Sequence, residues 1–408
     1  MRGSGSARAA RAIVAAAAFL IATIFAFECN RVHAQSSASS ADASRTGSKT
    51  FQAVAKSADE ARDAGRLDVA TKLYRRGLAL NSRWAEGWWS LGTLYYDGDR
   101  YAEADIAFGK VVALDPKQGT ARAMLGLCEF ELGQPERALK DIEASKTLGV
   151  LEDKQLRDVV MFHDGVLLQR AGQFEAAKAA LTFLCLNGVR SGELAGTFGM
   201  VALRMRDAAP PDPGTEAGQV VQHIGRGACL SGAKDYEAAK TEFEQVIART
   251  PHYPLVHYAF GCELVDARDI PGAIKEFEAE IAEQPKSVLP RLHIAVAEYK
   301  VDSAAGLKYA EEAVQLEPNL PLAHYLFGLL LLDTGAYERA VPELEIARKA
   351  FPHEGRIDLS LATAYAHAGR TQDAARAREE FARKKQAEQK AAEGTVEITD
   401  AMDARSKQ

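Results

Sequence analysis

The chain has 408 residues, 47% of them hydrophobic and 26% charged, with a formal net charge of -6. That composition excludes a disordered chain and a multi-span membrane protein, and the acidic balance gives no electrostatic basis for nucleic acid or an anionic membrane as partner. Length alone allows two or three compact domains, but a sustained short period would replace that count with one elongated array.

Residues 1–34 place Arg2, Arg8 and Arg11 ahead of an apolar run from Ile13 to Phe27, followed by Val32-His33-Ala34, whose small residues suit a signal peptidase. This reads as an export signal cleaved after Ala34, with the mature protein periplasmic or secreted. The alternative is an N-terminal membrane anchor, but the run is shorter than the roughly 20 residues a spanning helix needs, so no integral span is expected in the mature chain. The segment holds four arginines against Glu28, and its removal takes the net charge from -6 to -9. Residues 35–50 are rich in Ser and Ala without apolar periodicity and read as a flexible leader.

From Phe51 a repeat begins, marked by one small residue per unit: Ala58, Gly92, Gly126, Gly165, Gly199, Gly227, Gly261, Ala295, Gly328 and Ala362. Their spacings are 34, 34, 39, 34, 28, 34, 34, 33 and 34 residues. A second small residue follows in a partner helix, from Ala70, Ala104 and Ala138 to Ala340 and Ala374, with one gap of 62 between Ala177 and Ala239. Two amphipathic helices per 34-residue unit describe a helical-hairpin solenoid. Gly92 and Ala104 belong where two helices cross closely, with Leu91, Tyr95 and Phe108 filling the space between them. Pro116, Pro251, Pro285, Pro318 and Pro352 end the second helices, since proline lacks the N–H of the next turn.

Two departures from the period stand out. The 39-residue spacing puts extra residues around Leu151 to Gln155. The gap of 62 leaves the helix around Gly199 without a second helix; in its place stands Ala208-Ala209-Pro210-Pro211-Asp212-Pro213-Gly214, which cannot be helical throughout. This break is expected to divide the array into blocks at 51–207 and 220–393, with 208–219 between them. Arg376 to Lys390 suit a polar capping helix, and residues 394–408 read as a disordered tail.

Trp88, Leu91, Gly92 and Tyr95, then Ala104, Phe108, Val111 and Pro116, make one unit resemble the tetratricopeptide repeat (TPR) almost in full, and the other units keep parts of that pattern. The resemblance spans roughly Phe51 to Lys390. It implies an all-α, right-handed α-solenoid of about nine TPR-like hairpins plus one unpaired helix. Positions three before, one after and four after each small residue share a helix face, and they carry Trp89, Tyr96, Phe130, Phe162, Tyr258, Tyr299 and Tyr325. The resemblance implies that this face lines a concave groove holding a peptide or helix of a partner protein, for which aromatics are suited anchors.

Chemistry is harder to find. Cys128, Cys185, Cys229 and Cys262 stand singly in apolar helical surroundings and read as buried thiols, with Cys229 and Cys262 the one pair close enough to test. His223, His257 and His324 each stand four residues before a small residue, where Trp88 stands in its unit, and read as packing residues; helices 8 to 10 Å apart are too distant for shared zinc ligation. No catalytic or phosphate-binding motif occurs. The expected function is therefore a non-catalytic interaction scaffold with no cofactor or metal. The alternatives are an accessory or regulatory subunit of a cell-envelope enzyme or assembly, and an enzyme with a pocket near Pro210 to Gly214. The sequence carries no signal for the oligomeric state.

Overall fold

The computed structural model describes residues 41–149 and 153–406, with side chains described for 48–149 and 153–390. The export signal at residues 1–34 lies outside the described residues. Among those described, nineteen α-helices and no strand are found. Two compact units emerge, one ending at Glu242 and the next beginning at Phe243.

The first unit stacks antiparallel hairpins. α1 (Ala41–Asp63) packs on α2 (Leu67–Leu80), α3 (Ala85–Asp97) on α4 (Tyr101–Leu114), α5 (Gly119–Glu131) on α6 (Pro135–Thr147), and α7 (Lys154–Ala171) on α8 (Phe174–Leu186). α9 (Gly192–Ala202) packs on α10 (Glu216–Gly232), and α11 (Tyr236–Arg249) comes next in the chain. In the second unit α12 (Val256–Asp266) packs on α13 (Ile270–Glu283), α14 (Leu289–Glu298) on α15 (Ser303–Leu316), α16 (Pro321–Asp333) on α17 (Tyr337–Ala350), and α18 (Gly355–His367) on α19 (Thr371–Ser406).

The small-residue series marks the helix crossings. A β-carbon on Gly92 would meet Phe108 at 2.9 Å, one on Gly126 Ile142 at 2.8 Å, one on Gly165 Leu181 at 2.4 Å, one on Gly261 Phe277 at 2.5 Å and one on Gly328 Leu344 at 2.7 Å. Each large residue stands at the same place in its second helix, filling the notch its glycine leaves. Phe108 and Phe277 are fully buried this way, and truncating one such ring costs about 3–5 kcal/mol.

Each hairpin turns through one residue of positive φ: Gly65, Asp99, Gly133, Gly172, Lys234, Arg268, Lys300, Gly335 and Gly369. At most corners the next N–H closes back on the last turn of the first helix, as Arg100 N to Tyr95 O and Asp269 N to Leu264 O do. The corner is built even after α9, where Arg204 has φ 55° and Met205 N reaches Met200 O. Beyond it, Pro210-Pro211-Asp212-Pro213 takes the place of a second helix.

α9 lacks a second helix in its own repeat, as the spacing predicts, and it is not left bare. It lies on α10, the first helix of the next repeat, and the contact is backbone on backbone. A β-carbon on Gly225 would stand 1.7 Å from Ala195 O, and one on Gly199 1.9 Å from Val221 O. The proline-rich connection is tied down by Gln169 Nε2, which donates to Met205 O at 2.6 Å and Asp207 O at 3.2 Å, and by Arg170, which donates to Ala208 O at 2.8 Å.

This shortened repeat also brings α8 beside α10 and joins Cys185 to Cys229 in a disulfide, with Cα atoms 5.4 Å apart. The expectation of isolated thiols, with Cys229 and Cys262 as the pair to test, is corrected. The reason is the missing helix, which removes the layer that would otherwise separate α8 from α10. Cys128 and Cys262 remain thiols.

Helix ends also differ from the sequence reading. α1 starts at Ala41, inside the segment without apolar periodicity, and α19 continues to Ser406, through most of 394–408. Neither stretch contains proline, and α19 is built largely from Ala, Arg, Lys, Glu and Gln, which favour helix without burial. The long spacing is taken up partly in α7, which runs 18 residues from an Asp153 cap that accepts from Gln155 N and Leu156 N.

Candidate partner-binding surface

The aromatic positions on the first helices divide into two groups. Trp89 is 2% exposed, edge-on to Phe108 with ring centroids 5.3 Å apart. Tyr258 is 1% exposed, 6.0 Å from Phe277 by ring centroids, with its hydroxyl 3.2 Å from His293 Nε2. Tyr96 is buried edge-on to Tyr101 at 5.3 Å. These three, expected on the groove face, belong to the core instead. Trp89 and Tyr96 turn onto the second helix of their own hairpin, and Tyr258 lies between Phe277 of its second helix and His293 of the next first helix.

Phe130, Phe162, Tyr299 and Tyr325 stay partly exposed. Phe130 and Phe162 meet over His163, each edge-on to the imidazole at 4.6 and 5.7 Å, and the Arg170 guanidinium lies 5.2 Å above the Phe130 ring. His163 Nδ1 donates to Val159 O at 2.8 Å, and burial lowers its pKa. Burial likewise lowers the pKa of Arg170.

In the second unit Tyr299, just past the end of α14, and Tyr325 of α16 pack against one hydrophobic cluster, built on Phe327, Leu331, Leu344 and Leu361. Burial raises the Tyr325 hydroxyl pKa, followed by the charge of Glu354 and the neighbouring Tyr299. Val296 of α14 is 55% exposed, Leu322 of α16 44% and Leu359 of α18 47%. Val296 and Leu359 occupy the same register as the predicted aromatics. The same spacing rule marks both positions in the sequence, but with aliphatic rather than aromatic side chains.

A second regularity concerns the position four residues before the small residue. His223 Nδ1 lies 2.6 Å from Glu242, His257 Nδ1 2.7 Å from Glu276 and His324 Nδ1 2.5 Å from Glu343. Arg122 meets Asp141 at 2.7 Å and Arg291 meets Glu312 at 2.8 Å from the same position. Each pair ties a first helix to its second helix. The packing role read for the histidines is thus a polar one. Four of the five carboxylates follow their cation by 19 residues, a spacing visible in the sequence once both helices of a hairpin are compared.

The tetratricopeptide repeat family matches residues 56–107 and 325–387. Among solved structures, the chain is similar to MamA at 19% identity, over 40% of this chain and 96% of that one, with a TM-score of 0.37. It is also similar to a tetratricopeptide repeat protein from Parabacteroides merdae at 13% identity, over 69% of this chain and 99% of that one, with a TM-score of 0.32. No curated protein matches. No helix among the described residues is long and apolar enough to cross a membrane.

Proposed function

We propose, from the premise that this chain is a tetratricopeptide-repeat protein and a protein–protein interaction scaffold, that it binds an apolar helical or extended segment of its partner on the first helices of its second unit. The observation carrying this is the exposed stripe of Val296, Leu322 and Leu359, completed by Tyr299 and Tyr325. Three aliphatic side chains that water still reaches, flanked by two tyrosines with polar tips, offer the mixed surface that protein segments anchor on. The first unit offers less, because Trp89 and Tyr96 are already committed to its core.

Export is part of the same proposal. The apolar run ahead of Ala34 supports it, and so does the Cys185–Cys229 disulfide, a bond that persists in oxidising compartments. No catalytic role is assigned.

Site-specific photocrosslinking tests the surface. A crosslinker at Tyr325 or Leu359 is expected to capture a partner segment, while one at Ile346 on the second helix α17 captures none; equal capture at all three positions rejects the proposal. N-terminal sequencing of exported protein tests the signal: the expected first residue is Gln35, and a start at Met1 rejects cleavage.

A further inference from the structure

We propose that His324 is a proton-operated clasp of the α16/α17 hairpin: its charged ring ties the two helices together, and loss of its proton releases one tie and loosens the hairpin. His324 Nδ1 lies 2.5 Å from Glu343 Oε2 of α17, and Nε2 lies 2.8 Å from Pro318 O in the connection before α16. A carboxylate and a carbonyl only accept hydrogen bonds, so both ring nitrogens must donate, which only the charged imidazole does. A neutral ring keeps one N–H, and the other contact becomes lone pair against lone pair. The side chain is buried, so water does not readily take the place of the lost partner.

The other pairs at this register show why His324 is the sensitive one. Arg291 makes the same tie to Glu312 in α14/α15 and stays charged at every relevant pH. His223 shares Glu242 with Arg226, 3.5 Å away, so a permanent cation remains when the imidazole is neutral. His257 meets Glu276 through Nδ1, a bond a neutral ring can keep, and faces the further charges of Glu280 and Glu283 on α13. The hydrogen bond to Glu276 raises the His257 pKa against burial. Around α16, Lys300 pairs with Asp333 at the helix end. Arg339 of α17 lies over the Phe327 ring and pairs with Glu311 of α15. Glu354 and Arg356, at the start of α18, lie beside Tyr325.

The clasp stands independently of the proposed function. If that function holds, the clasp also sets how firmly α16 presents Tyr325 and Leu322, so partner binding would weaken as the pH rises.

Amide hydrogen exchange of the full chain at pH 5.5 and 8.5, corrected for intrinsic rates, tests it. Protection in α16 and α17 is expected to fall about tenfold or more at the higher pH, with a smaller change in α14 and α15. The variant His324→Arg, which copies Arg291, is expected to remove the pH dependence of α16 and α17, and His324→Gln to leave them loose at both pH values. Nitrogen spectra of the imidazole are expected to show both nitrogens protonated at pH 5.5. Equal loss of protection in α14 and α15, or a neutral ring at pH 5.5, overturns the proposal.

Discussion

Gly199 of α9 lies against the Val221 carbonyl of α10 with no room for a side chain: a methyl group there would stand 1.9 Å from that oxygen. Gly225 meets Ala195 O in the same way from the other helix. At Gly92 the neighbour is the Phe108 ring, which can shift, whereas a backbone carbonyl inside a helix cannot. Gly199→Ala and Gly225→Ala are therefore expected to destabilise the first unit by about 3 kcal/mol each, against about 1 kcal/mol for Gly92→Ala. Urea unfolding measures all three, and a Gly199→Ala variant as stable as the parent would contradict the backbone contact.

The disulfide spans the proline-rich connection. Cys185 and Cys229 are 44 residues apart, and closing a loop of that size stabilises by about 4 kcal/mol in the chain-entropy view. Cys229→Ser should lower the unfolding midpoint of the first unit by an amount equivalent to about 2–4 kcal/mol. Proteolysis within residues 208–214 should be slow in the oxidised protein and fast after reduction, as read by mass spectrometry of the fragments. Rapid cutting there with the bond intact would show that the ties from Gln169 and Arg170 do not hold.

Glu129 makes the first unit sensitive to pH. Its side chain is fully buried on α5, and burial pushes its pKa from 4.5 to about 7, helped by the charge of Asp141 and opposed by Arg137 at 2.6 Å. Between these values the folded protein keeps a proton that the unfolded chain has released. Stability therefore falls as pH rises from about 4.5 to about 7. Glu129→Gln is expected to flatten the dependence and to exceed the parent in stability at pH 8 by roughly 1–3 kcal/mol; an unchanged slope in denaturation curves would sink the assignment.

The two groups of aromatics should respond differently to truncation. Trp89→Ala and Tyr258→Ala remove buried rings and are expected to cost about 3–5 kcal/mol of stability. Tyr299→Ala and Tyr325→Ala should leave the thermal midpoint within a few degrees and weaken partner capture about tenfold or more. Binding retained in the Tyr299 and Tyr325 double variant, with folding intact, would move the contact elsewhere.

Much of the fold could be read from residue spacing because helix crossings impose a rule on single positions. Gly126 cannot carry a side chain opposite Ile142, nor Gly328 opposite Leu344, and the demand for a small residue, Gly or Ala, recurs along the array. The break was visible for the same reason, since Pro210, Pro211 and Pro213 forbid a helix. Side-chain burial on this face obeyed no such rule: Trp89 is buried against Phe108 of its own hairpin while Tyr325, at the same register, stays partly exposed. The Cys185–Cys229 bond was hidden by the period itself. Comparing equivalent positions in successive repeats suggests Cys229 beside Cys262, whereas the shortened repeat brings α8 to α10.

The corner at Arg204 carries a consequence for the number of repeats. The chain there bends as it does at most other hairpins, with Met205 N bonded to Met200 O, so the local instruction to reverse direction is intact and the prolines beyond it prevent a second helix. Repeat number is thus written in two separable signals, the bend and the helix-forming capacity of the residues after it. Replacing Pro210 through Pro213 with a helix-forming segment would create a competitor for the surface of α9 that α10 now occupies, and the outcome would turn on Gly199 and Gly225, which bring the α9 and α10 backbones together.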